Sequence, residues 1–161
     1  MRNETDKIRY LQKAPTFKLP GFDGSIFAQH HYTGHTNLVV FFLRSASDPR
    51  DIELLREINA HLDLCARFQT VMLALLPEPP HRLKALHQEL GLKFPLVSDT
   101  QGQTAERYGL INGILFFKKM RRAVIVQDKY SVMYHIAVAE RDDEGPDWAT
   151  IEDVLSKFPR R

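Results

Sequence analysis

Asp48 and Asp51 stand three residues apart, just after an apolar run ends, and Pro49 follows the first of them. Asp followed by Pro is a helix-start signal, with Asp as the N-cap and Pro as the first helical residue. Both carboxylates then lie on one face of the helix start, where a pair of acids could do acid–base chemistry. That chemistry also needs a nucleophile beside a base, and none is identifiable. Asp51 has a plainer role too. As the third helical residue it accepts backbone N–H bonds and opposes the helix dipole, contributing about 0.3–1 kcal/mol. The one cysteine, Cys65, lies 14 residues further on, along the apolar stripe of the expected helix. It reads as a buried, inert thiol, because a reactive cysteine needs a helix N-terminus or an adjacent cation and this helix end has the wrong dipole sign.

His30, His31 and His35 form an HHxxxH cluster. Zinc sets usually add cysteine or acid partners, and none is spaced to help, so no metal and no cofactor is expected. Lys118, Lys119, Met120, Arg121 and Arg122 form a basic run, which reads as a solvated edge. Nucleic-acid binding would call for aromatic interleaving and strong net basicity. The run could instead attract an anionic ligand, while Asp48 and Asp51 would oppose one, so the sequence leaves the sign of that place open.

The elements that must position these residues follow from the hydrophobic pattern. Residues 1–13 are charged and read as a loose arm; the rest, 14–161, reads as one domain. Residues 14–20 alternate polar and apolar, Gly21 to Gly24 supplies a turn, and Ser25 to Phe27 returns, which predicts a hairpin. Asn37 to Leu43 is apolar on both faces, as a central parallel strand is. Leu54 or Leu55, Ile58, Leu62 and Cys65 recur at helical spacing and predict one helix from 49 to about 67. A strand over Thr70 to Leu76, a helix over Arg82 to Leu90, a short strand over Phe94 to Val97 and a short helix over Gln103 to Tyr108 follow. Ile114 to Phe117, Ala123 to Val126 and Val132 to Val138 are strand candidates. Arg141 to Gly145 reads as an acidic loop, and Trp148, Ile151, Val154 or Leu155, and Phe158 mark a final helix. Strands alternating with helices imply a parallel core, and the late hairpin adds antiparallel strands. The order fits an α/β class, a thioredoxin-like α/β/α sandwich with a mixed central sheet and an N-terminal β-hairpin.

The composition sets the outer limits. The chain has 161 residues, 43% hydrophobic and 26% charged, which is ordinary globular usage rather than disordered or fibrous. Lys and Arg number 22 against 20 acids, a net charge of +2, which is too balanced for a nucleic-acid binder. The longest apolar run, Leu38 to Leu43, suits a buried strand and is far short of the roughly 18 residues of a membrane span. One cysteine permits no internal disulfide, and the N-terminus lacks the apolar core of a signal peptide, so the expected location is cytoplasmic.

Three segments resemble one family. Ala14-Pro15-x-Phe17-x-Leu19-Pro20, with Asp23-Gly24, Tyr32-x-Gly34 and Val39-Val40-Phe41-Phe42, resembles the opening of a peroxiredoxin of the alkyl hydroperoxide reductase and thiol-specific antioxidant type. Phe94-Pro95-Leu96-Val97-Ser98-Asp99-x-x-Gly102-x-x-Ala105-x-x-Tyr108-Gly109 is similar to its middle. Arg122-Ala123-Val124-Ile125-Val126-x-Asp128 is similar to the segment carrying its active-site arginine. The likeness spans roughly residues 14–138 and looks closest to the bacterioferritin-comigratory type.

In that family a Pro-x-x-x-Thr-x-x-Cys loop places a cysteine in the first turn of a helix, where the dipole and a distant arginine lower its pKa and the thiolate attacks a peroxide. The resemblance puts the family proline at Arg44, the threonine at Asp48, the cysteine at Asp51 and the arginine at Arg122; a resolving cysteine of some members falls at Arg56. Only the arginine is retained. A carboxylate cannot be oxidised to a sulfenic acid, so the implied protein is a silent relative with a degenerate site, acting as a binding or scaffold module. The alternative is an antioxidant oxidoreductase that reduces hydroperoxides through an atypical thiol, Cys65. The family also implies a possible homodimer, for which Ile111, Ile114 and Leu115 are candidate contact residues, and no membrane or nucleic-acid partner.

Overall fold

Asn37–Phe42, NLVVFF, buries all six side chains and forms β3, the centre of the molecule. The computed structural model describes residues 8–113 and 119–160. Around β3 the strands in chain order are β1 (Lys18–Pro20), β2 (Ile26–Ala28), β4 (Thr70–Leu76), β5 (Leu96–Ser98), β6 (Ile111–Asn112), β7 (Lys119–Met120), β8 (Ala123–Gln127) and β9 (Met133–Val138). The helices are α1 (Pro49–Asn59), α2 (Asp63–Phe68), α3 (Pro80–Leu90), α4 (Gln103–Arg107) and α5 (Trp148–Ser156).

The main sheet runs β5–β4–β3–β8–β9. β3 pairs parallel with β4 from Asn37↔Thr70 to Phe42↔Leu75, and antiparallel with β8 from Leu38↔Gln127 to Phe42↔Ala123. Because successive side chains point to opposite faces, β3 feeds two cores. Val39 and Phe41 pack with α1, α2, α3 and α5 on one face. Leu38, Val40 and Phe42 pack with the β1–β2 hairpin and α4 on the other. This is the expected mixed sheet between two layers, with its N-terminal hairpin β1–β2 in register at Lys18↔Ala28.

Two expectations are corrected. The helix predicted from 49 to about 67 is two helices. Around residues 60–62 the N–H groups of His61, Leu64 and Cys65 each bond a carbonyl three residues back, the tighter 3-10 pattern, which ends α1 and reorients α2. The loose arm is also tied down over residues 8–13. Ile8 is buried, the Leu11 N–H donates to the Met133 carbonyl at 2.8 Å, and the Met133 N–H donates to the Gln12 carbonyl at 3.0 Å. The predicted strand Ile114 to Phe117 lies outside the described residues. Among the described residues no helix is long and apolar enough to cross a membrane.

Candidate functional site

β3 delivers the chain to a tight loop, and the loop turns into α1. Asp48 caps the helix, its Oδ1 accepting from the Arg50 N–H at 2.9 Å, and Pro49 takes the first helical position. Asp51 follows within the first turn with 0% of its surface exposed. Its Oδ2 accepts the loop N–H groups of Arg44 at 3.0 Å and Ser45 at 2.9 Å. Its Oδ1 accepts from Arg122 Nε at 2.5 Å.

Arg122 enters from the residue before β8 and is 4% exposed. The antiparallel pairing of β8 with β3 brings the start of β8 beside the end of β3, which is why residues 71 apart in sequence meet. Each guanidinium nitrogen faces a different carboxylate: Nε faces Asp51, Nη2 faces Asp48 Oδ2 at 2.9 Å, and Nη1 faces Asp142 Oδ1 at 3.3 Å. Arg44 Nη1 also donates to Asp142 Oδ1, at 2.9 Å. The four residues singled out in the sequence, Arg44, Asp48, Asp51 and Arg122, therefore form one cluster. Charge-assisted bonds of this kind are about twice as strong as neutral ones, and burial removes the water that would screen them.

Asp142 is the member that sequence reading missed. It stands in the acidic turn before α5, and only the register of β8 against β9 carries that turn over the site. The loop itself is anchored toward α3: the Ala46 N–H donates to Glu78 Oε1 at 3.1 Å, and Arg82 Nη2 donates to Ser47 Oγ at 2.6 Å.

The remaining candidates lie elsewhere. Cys65 is on α2, half-buried against the core, and its thiol pKa is raised chiefly by desolvation. His30 and His31 sit edge to face on a 3-10 turn, and His35 Nδ1 meets Thr36 Oγ1 at 2.9 Å. Among the described residues no group of three or more His, Cys, Asp or Glu could hold a metal ion. Of the basic run, Lys119 and Met120 form β7 and pair with β6, and Lys118 lies outside the described residues. Ile111 is partly buried against the second core, while Ile114 and Leu115 lie outside the described residues.

The mixed sheet, its helical layers and the loop-to-helix junction at α1 define a thioredoxin-fold protein. The AhpC/TSA family model matches residues 11–135, and the chain belongs to that family. A protein named as a peroxiredoxin of Mycobacterium tuberculosis (strain ATCC 25618 / H37Rv) is 25% identical over 122 residues, 76% of this chain and 77% of its own length. Among solved structures, peroxidoxin BcpB from Mycobacterium tuberculosis superposes with a TM-score of 0.78 at 18% identity, covering 92% of this chain and 95% of that one. The thiol peroxidase from Chromobacterium violaceum gives 0.80 at 22% identity, covering 96% and 90%.

Proposed function

We propose that this member of the AhpC/TSA family lacks peroxidase activity and works by binding, with Arg44, Asp48, Asp51 and Arg122 as the remnant of a peroxidatic site. The observation that carries this reading is the state of Asp51. Its carboxylate occupies the first turn of α1, fully buried, with both oxygens already engaged by Arg122 and two loop N–H groups. Peroxide reduction by the family's route transfers oxygen to a sulfur, which gives up two electrons to become a sulfenic acid. A carboxylate has no oxidisable sulfur to take up that oxygen, and an arginine committed to three acids is poorly disposed to polarise a peroxide. The Asp51–Arg122 pair resembles the thiolate–arginine state in charge and holds α1 in its formed state. The lone cysteine suits a cytoplasmic setting, and the family's habit of pairing makes a homodimer part of the proposal.

The test is hydroperoxide consumption by the full chain with a thiol reductant, beside Cys65→Ser. Both proteins are expected at the rate of the reductant alone. Turnover by the unaltered chain that disappears in Cys65→Ser would overturn the reading in favour of an atypical peroxidatic thiol.

A further inference from the structure

Beside the cluster opens a cleft of about 340 Å³, walled by β7, the residues leading into β8 and the turn after β9. Its cationic lining is Arg44, Lys119, Arg121, Arg122 and Arg141; its acids are Glu140 and Asp142. The cations differ in how they are committed. Arg122 is held from behind by Asp48 and Asp51, and Arg141 by Asp143 and Glu144. Among the described residues Arg44 has one ion-pair partner, Asp142, and Lys119 and Arg121 have none.

Asp142 is the odd member of this set. Its side chain is 72% exposed, yet its Oδ1 bridges two guanidinium groups, Arg44 at 2.9 Å and Arg122 at 3.3 Å. Arg122 is buried, but the Asp142 carboxylate itself stays largely hydrated, so water or another acid can take its place between the two guanidiniums. The two guanidiniums present a fork suited to a carboxylate or phosphate. With Asp142 swung away, Arg44, Lys119 and Arg121 outnumber Glu140, the acid left in the described lining of the cleft. The volume lies within the range of small-molecule sites, roughly 300–1,000 Å³.

We infer that this cleft binds a small oxyanion carrying at least two negative charges, and that Asp142 occupies the seat of one of its acidic groups until the ligand arrives. One acidic group replaces the Asp142 carboxylate between Arg44 and Arg122, and the second is met by Lys119 and Arg121. This deepens the binding half of the function proposed above, but its test reads affinity and not turnover, so the two can fail separately.

The experiment is isothermal titration of the full chain with inorganic pyrophosphate and, separately, with citrate, at low ionic strength so that screening does not mask the charges. Wild type is expected to bind at least one probe. Pyrophosphate alone points to a phosphorylated ligand, citrate alone to a polycarboxylate, and either supports the inference. Asp142→Asn should tighten the bound probe by about fivefold or more, and Lys119→Ala with Arg121→Ala should weaken it by about tenfold. Asp153→Asn removes the same charge from α5 and should stay within about twofold of wild type. No binding of either probe by wild type and by Asp142→Asn up to about 10 mM overturns the inference, as does equal tightening by Asp142→Asn and Asp153→Asn.

Discussion

The segment that leaves β3 carries a candidate reactive group at each end, and the two are quieted by opposite physics. At the start of α1, Asp51 is silenced by company: every oxygen is engaged and the counter-charge is in contact. On α2, Cys65 is silenced by isolation: desolvation disfavours its thiolate, the nearby Asp63 pushes the same way, and only a backbone bond to Met72 opposes them. The first end is therefore ordered by charge and stands or falls with its partners. The second is ordered by packing and tolerates changes of similar size. The contrast also locates where ligand chemistry can enter, at the charged end, where an exposed acid borders an open cleft.

The sharpest way to break this contrast is Arg122→Met. It strands a fully buried carboxylate, which is expected to cost about 3–5 kcal/mol in urea denaturation. The double variant Asp51→Leu with Arg122→Met should recover part of that loss, because it removes the uncompensated charge. A single-variant loss under about 1 kcal/mol would mean that the pair does not organise the site. Asp48→Ala should cost less, about 1–2 kcal/mol by the same measurement, since it removes the α1 cap and one of three contacts to Arg122. The smallest effect belongs to the other end. Cys65→Ala should change stability by about 1 kcal/mol or less. In the intact chain at neutral pH, a thiol reagent should modify Cys65 about tenfold or more slowly than in the urea-unfolded chain, speeding up as pH rises toward the raised thiol pKa. Rapid modification of the folded protein would erase the difference between the two ends.

Much of this arrangement is legible in the sequence because it rests on local signals. The run Leu38 to Leu43 announces a strand buried on both faces, and Asp48-Pro49 announces the first turn of α1, where it is found. The grouping of Asp51 with Arg122 came from family resemblance, since no local pattern links residues 71 apart. Two features escaped for a shared reason. The break between α1 and α2 leaves the apolar spacing intact, because Leu62 and Cys65 still face the core after the tightened turn. What marks the break is tertiary: the His61 ring stacks on Trp148 of α5 at 3.9 Å between centroids. Asp142 likewise looks like one acid among several in a surface turn until β9 brings it over Arg122.

That stacked pair has a use of its own. Trp148 is the sole tryptophan of the chain, and besides lying flat on the imidazole its Nε1 donates to Glu57 Oε1 at 2.5 Å. Indole emission therefore reads the docking of the last helix on the corner between the first two. An optical change on adding an oxyanion would mean that news of an occupied cleft crosses the helical layer, and a mute signal would mean that the cleft fills without disturbing it.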